Sequence, residues 1–335
     1  MAADVAAETI DQAASSVSRA STHVSSVMQL MVKAAIFETP NIFSYDLRAP
    51  SAGELPPFTA GAHIDLMLPN GLTRSYSLLN DQAERHRYVI GVQNDLNSRG
   101  GSRWIHEHLR PGNVISVTAP RNNFALDESA EKSVFIAGGI GITPILSMVS
   151  RLGSLNRHWE LFYCARTRVD AAFLDRIDKS AKLNFDGEPG GRMLDIPAVV
   201  AAAGPDAHLY CCGPEPMLAA FESATAQLPR HQVHVERFRS TEAAATEGGF
   251  TIVLAQSGKE IFVSAGKTIL DAVLEAGIDF PYSCTEGVCG TCEVAVLEGI
   301  PDHRDMILTE REHAANRSMM ICCSGSKSSR LVLDI

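Results

Sequence analysis

Four cysteines constrain this chain more than any other feature. Cys284, Cys289 and Cys292 stand in the run C-T-E-G-V-C-G-T-C, and Cys322 follows after a further 29 residues. C-x4-C-x2-C…C is the spacing of a plant-type 2Fe–2S site, in which four thiolates hold two irons. A tight loop must bring three of the sulfurs to one point. Gly287 and Gly290 suit that loop, because backbone amides must approach the sulfurs and some positions need positive φ. Such a centre stores one electron, typically at about −400 mV. Cys323 adjoins the fourth cysteine, and in extended backbone only one of the two can face the cluster. Cys322 is the expected ligand and Cys323 a core residue.

A chain of 335 residues has room for two or three domains. Its 45% hydrophobic and 20% charged residues are those of a soluble globular protein. No apolar run reaches the length of a membrane span. The Ala/Ser-rich N-terminus, interrupted by Asp4, Glu8, Asp11 and Arg19, lacks the apolar core of a secretory signal. A cytoplasmic protein without a membrane or nucleic-acid partner is expected; the net charge of −10 argues against nucleic acid. In a reducing compartment clustered cysteines favour metal over disulfide. From Phe250 to Ile335, twelve Asp/Glu oppose seven Lys/Arg. This acidic excess either steers a basic electron-transfer partner or is simply a solvated face.

Residues 1–27 form an N-terminal extension. Ile10, Val17, Val24 and Met31 recur every seven residues, which suits a short amphipathic helix, while the Ser and Thr content suits disorder. From 28 to 127, short alternating strands and turn residues such as Pro69-Asn70-Gly71 predict a closed antiparallel β-barrel. From 128 to 239, strands alternate with helices, among them Ala171–Ile177, predicting a parallel α/β sheet. Residues 240–249 (S-T-E-A-A-A-T-E-G-G) read as a linker. Residues 250–335 form the module that carries the cysteines, an α+β unit of β-grasp type with a helix over Thr268–Ala276 closed by Gly277.

Three upstream motifs bear on chemistry. Arg74-Ser75-Tyr76-Ser77 lies on a strand; Tyr suits a flavin ring and Arg a phosphate, but four residues also make an ordinary surface strand. Arg99-Gly100-Gly101-Ser102 precedes a helix, with Ser102 as the expected N-cap and two glycines that let backbone amides point at an anion; a plain capped turn is the alternative. Gly138-Gly139-Ile140-Gly141-Ile142-Thr143-Pro144 joins an apolar strand to a helix, the place for a pyrophosphate. Cys212-Gly213-Pro214-Glu215-Pro216 supplies a second loop at the same sheet edge, so Gly138, Gly139, Gly141, Cys212, Gly213 and Pro214 are candidate contacts for a dinucleotide.

In order and spacing, R-S-Y-S, G-G-S, G-G-I-G-I-T-P, C-C-G-P and the cysteine loop resemble the phthalate dioxygenase reductase family, which includes vanillate demethylase reductases. The resemblance covers about residues 28–335 and extends to D-H-R-D-M-I-L (302–308) and the terminal L-V-L-D-I. It implies a flavin domain, a nicotinamide-binding domain and a plant-type ferredoxin, with FMN, NADH and a 2Fe–2S cluster held by Cys284, Cys289, Cys292 and Cys322. It implies that Arg74, Ser75, Tyr76, Ser77, Gly91, Val92, Gln93, Gly100, Gly101, Ser102, Thr143 and Phe238 hold FMN, with Ser77 near flavin N5. Gln93 stands where Lys is usual, and Ser324-Gly325-Ser326 where S-R-A is usual.

The implied function is that of an oxygenase reductase, passing NADH electrons through FMN and the cluster to a Rieske-type terminal oxygenase by transient electrostatic contact. A monomer is expected, and no general acid or base is needed. The alternatives are an FAD reductase of another monooxygenase and a redox sensor that turns nothing over.

Overall fold

The computed structural model describes residues 27–51, 53–95 and 100–335. The heptad-spaced Ile10, Val17 and Val24, and Arg99, lie outside them; Met31 lies within the first strand.

The first unit is a six-stranded antiparallel sheet. Its spatial order is Thr73–Ser77, His63–Met67, Val114–Thr118, Val27–Thr39, Ile42–Arg48, Tyr88–Gln93. Inward residues such as Tyr45, Leu47, Ile64, Leu66, Ile90 and Val117 are fully buried and form its core. The closed barrel expected from the strand pattern is not formed. Among the described residues the two edge strands form no ladder with each other and are joined by the isolated bridge Leu78–Ile90 just past the end of one of them, because the chain leaves the five-residue strand at Ser77 into the turn that ends at Arg87. Ser102 is not the cap of the helix Gly101–His108. Gly100, with φ 96°, precedes the first turn, and the Ser102 hydroxyl accepts the Asp95 amide at 3.3 Å.

The second unit is a five-stranded parallel sheet in the order Val233–Glu236, His208–Cys212, Lys132–Gly138, His158–Ala165, Lys182–Phe185. Its faces separate by strand alternation. Val134, Ile136, Leu209 and Cys211 pack with Leu218 and Phe221 on one side. Phe135, Ala137, Tyr210 and Cys212 pack on the other with the helix Ile142–Ser154. That second core also takes in Ile42, Leu79, Val89 and Phe124, so the first two units share buried surface. The helix expected over Ala171–Ile177 is absent: a single 3-10 turn at Arg168–Asp170 is followed by turns, with Phe173 at φ 61°.

The third unit is a mixed five-stranded sheet, ordered Glu260–Val263, Phe250–Leu254, Arg330–Leu333, Glu293–Glu298, Ser318–Met320. The helix Ile269–Glu275 covers it and begins in a capping box between Thr268 and Asp271. Segment 240–249 has almost no regular structure, yet it is anchored. Ala245 is buried and its amide donates to the Cys323 carbonyl at 2.7 Å.

Candidate functional site

A cavity of about 330 Å³ is walled by all three units. The strand carrying the R-S-Y-S motif contributes Arg74, Ser75, Tyr76 and Ser77, and the strand opposite contributes Gly91 and Gln93. Ser102 closes one end. The Arg74 side chain lies across Gly101, where an added Cβ would come within 2.7 Å of it. A cation and the start of a helix thus share one place, which suits a phosphate. Val92 does not join its neighbours: its side chain is buried in the core, and its carbonyl meets His106 Nε2 at 2.9 Å.

Thr143 and Phe238 come from the parallel-sheet unit. A Cβ on Gly91 would meet Thr143 Cγ2 at 2.8 Å, so glycine there lets the two units close on each other. Phe238 is 42% exposed and lines both this cavity and a larger one beside it. An exposed aromatic at a cavity mouth suits a planar ring system.

The larger groove, about 1060 Å³, runs along the carboxyl edge of the parallel sheet and is lined by Gly138, Gly139, Gly141, Gly213 and Pro214. At Gly141 an added Cβ would fall well inside van der Waals contact with the Cys212 carbonyl oxygen. Glycine is therefore what lets the two loops meet. Cys212 itself turns inward, fully buried, with its thiol 3.9 Å from Glu236 Oε2.

Glu236 is the site residue the sequence did not reveal. It ends the last parallel strand, lines the smaller cavity, and contacts the Ser77 side chain. Burial pushes its carboxyl up to about 8, against the smaller opposing pull of its Cys212 and Ser77 hydrogen bonds. Nothing in V-H-V-E-R-F marks this Glu beforehand, because only the fold aims it at Ser77.

Cys284, Cys289, Cys292 and Cys322 are all buried, and their thiols converge: Cys284 contacts Cys289 and Cys322, and Cys292 contacts Cys322. The donor set fits a cluster by its own chemistry. The Glu286 amide donates to Cys284 Sγ at 3.3 Å and the Cys284 amide to Cys289 Sγ at 3.5 Å, and such N–H groups favour thiolate sulfur. Thr285, Gly287 and Gly290 hold positive φ, making the loop tight enough. The Cys323 thiol lies elsewhere, toward the Met320 carbonyl at 3.7 Å and beneath Gly287. Ser324 and Gly325 are buried; the Ser324 hydroxyl accepts the Arg304 amide at 3.2 Å, and a Cβ on Gly325 would press on Ala245.

The cysteine loop docks directly on the first unit. Ser75 Oγ lies 3.1 Å from Ser283 Oγ, and Asn123 Nδ2 donates to the Cys289 carbonyl at 2.7 Å. Buried Asp65 braces this seam by accepting from Ser75 and Arg121.

Among the described residues no helix is long and apolar enough to cross a membrane. Residues 252–326 match the family of 2Fe-2S iron-sulfur cluster binding domains. Phenoxybenzoate dioxygenase subunit beta of Ectopseudomonas oleovorans is 55% identical over 311 residues, which are 92% of this chain and 97% of that protein. The solved structure of phthalate dioxygenase reductase, described as modular for electron transfer from pyridine nucleotides to 2Fe-2S, superposes with a TM-score of 0.73 at 37% identity, covering 92% of this chain and 98% of the other. An intact type IV self-sufficient cytochrome P450 monooxygenase superposes with a TM-score of 0.81 at 40% identity; the match covers 92% of this chain but spans only 41% of that longer one. The chain is a member of the phthalate dioxygenase reductase family of oxygenase reductases.

Proposed function

We propose that this chain is the reductase component of an oxygenase system. It takes electrons from NADH by way of FMN, holds them one at a time on a 2Fe–2S cluster, and delivers them to the oxygenase. The carrying observation is the single cavity whose wall includes Ser77 and Gln93, Thr143 and Phe238, and Cys284 and Cys289. It adjoins the glycine-lined groove through Gln93, Ile140, Arg237 and Phe238, which border both. When bound, the flavin supplies the conversion between a two-electron hydride donor and a one-electron cluster.

The protein's part is position. Arg74, with Gly100, Gly101 and Ser102, holds a terminal phosphate, which favours FMN over FAD. Tyr76, Ser77, Gly91, Gln93 and Thr143 shape the ring site, and Phe238 covers it. Gly138, Gly139, Gly141, Gly213 and Pro214 leave room for the dinucleotide, and Cys212 sets the depth of that groove through its backbone. Ser77 and Glu236 hold a proton beside the ring site. Cys284, Cys289, Cys292 and Cys322 ligate the irons.

The units divide at 28–127, 128–239 and 250–335, with 1–27 as an extension and 240–249 as a linker. We read the first as a barrel left open at one seam and the third as a β-grasp ferredoxin. A Rieske-type oxygenase is the proposed acceptor, met transiently by the acidic third unit of a cytoplasmic monomer. Likeness to a fused P450 makes a haem acceptor the second reading.

Replacing Cys289 with Ser tests the route. Ferricyanide reduction by NADH should persist while cytochrome c reduction is lost. Cytochrome c reduction at the normal rate in Cys289→Ser would overturn it. Acid release and chromatography of the flavin decides FMN against FAD, and NADH-driven turnover of a Rieske oxygenase against a P450 decides the acceptor.

A further inference from the structure

One cluster of metal-ligating side chains has no part in the proposed electron path. His303 and Asp305 follow the short strand Pro301–Asp302, and His313 lies on the helix Glu310–Ala315. The Asp305 side chain is 0% exposed, that of His303 7% and that of His313 29%. The two carboxylate oxygens of Asp305 are divided. Oδ2 accepts the amides of Ile307 and Leu308 at 3.2 and 2.8 Å. Oδ1 faces His313 Nε2 at 3.2 Å and His303 Nδ1 at 3.7 Å.

His303 poses an electrostatic problem. Its Nε2 lies 3.2 Å from Asn316 Oδ1, while Asn316 Nδ2 is directed to the Ala314 carbonyl. An amide oxygen only accepts, so Nε2 carries the hydrogen and neutral Nδ1 presents a lone pair. That Nδ1 is buried without a hydrogen-bond partner and faces a carboxylate oxygen. A cation between these two atoms, 3.7 Å apart and out of water, would relieve the unpaired nitrogen.

We propose that His303 Nδ1, Asp305 Oδ1 and His313 Nε2 form a binding site for a divalent cation of the zinc type. Ligands about 2.1 Å from a tetrahedral ion stand about 3.4 Å apart; the observed 3.2 and 3.7 Å bracket that spacing. All three atoms lie within 4.8 Å of one another. Asn316 and the Ile307 and Leu308 amides orient the ligands from behind, as outer partners do in metal sites. Two imidazoles with one carboxylate suit zinc rather than calcium or magnesium. The partly exposed edge at His313 leaves the fourth position to water.

Such an ion would tie the helix Glu310–Ala315 to the cysteine loop. The Met306 amide donates to the Gly287 carbonyl at 2.9 Å, and a Cβ on Gly287 would lie 3.0 Å from Asp305 Cα. The site stands whether or not the electron route does.

The test uses the full chain with flavin and cluster loaded, washed with chelator, then titrated with Co²⁺ alone and back-titrated with Zn²⁺. One Co²⁺ per chain is expected, with the visible bands of nitrogen and oxygen ligation, no thiolate charge-transfer band, and displacement by Zn²⁺. His313→Ala should weaken binding at least about tenfold with iron content and cluster absorbance unchanged. His313→Gln, close in size and neutral, gives the same comparison should the alanine variant fold poorly. No stoichiometric binding, thiolate bands on binding, or unaltered affinity in both variants would each overturn the site.

Discussion

The side-chain amide of Asn123 donates to the backbone carbonyl of Cys289 at 2.7 Å. A loop of the first unit therefore grips the backbone of the cysteine set itself, close to the cavity both help to wall. Together with the Ser75–Ser283 contact at 3.1 Å, it fixes how near the third unit sits to the ring site. Losing one such hydrogen bond costs about 1 kcal/mol, or about fivefold in the docked population. Asn123→Ala should lower NADH-driven cytochrome c reduction by about two- to fivefold. Ferricyanide reduction should stay at the wild-type rate. An equal loss in both assays would assign Asn123 to the ring site instead of the seam.

The neighbouring cysteines give a sharper contrast. Cys322 meets the thiols of Cys284 and Cys292, whereas Cys323 points to the Met320 carbonyl. Cys322→Ser should lose the visible absorbance of the cluster and most of its iron. Cys323→Ser should keep the cluster and lose about 1–3 kcal/mol of stability, since it puts a hydroxyl into a fully packed place. Retention of the cluster in Cys322→Ser with loss in Cys323→Ser would reverse the assignment.

How much of this was legible in the sequence depended on the range of the interactions. Spacing alone marked the cysteine set, because three of the four ligands must come from one short loop. Alternation and turn residues found strands of the first unit, while short apolar runs between helices marked those of the second, whose sheet is packed on both faces. Alternation did not reveal whether the first sheet closes, which turns on where the chain leaves Ser77. Ala171–Ile177 looks helical by composition, yet Phe173 is drawn into the shared core at φ 61°, and tertiary packing overrides local preference there. Ser102 satisfied the rule for a cap, but the αL conformation of Gly100 starts the helix two residues too early for it. Glu236 and Asn123 carried no local signal, because each acts on residues more than 20 positions away.

Gly141 illustrates a site that depends on absence of a side chain. A methyl group there would collide with the Cys212 carbonyl, and backbone cannot swing away as a side-chain tip can. Gly141→Ala should push the two nucleotide loops apart. The expected result is a loss of about 1–3 kcal/mol in stability and a KM for NADH raised about tenfold or more, with the cluster spectrum intact. Chemical denaturation and steady-state kinetics measure both. An unchanged KM would mean that the loops do not hold the dinucleotide.

Glu236 gives the pH dependence its sign. In the folded chain its carboxyl is pushed up to about 8, mainly by burial, while the unfolded value is about 4.3. Between these limits the folded state holds a proton that the unfolded state has released, so stability falls as pH rises. The penalty is absent below about pH 4 and complete above about pH 8. Glu236 is half-buried at the cavity wall, so solvent entering the flavin-free cavity softens the effect to about 1–3 kcal/mol. Glu236→Gln cannot ionise and should show a flat profile across that window. Urea denaturation of flavin-free protein at pH 5, 6, 7 and 8 should find the variant gaining on the wild type at each step. A constant difference across the four pH values would mean that Glu236 is already ionised in the fold, and that Ser77 faces a charge in place of a held proton.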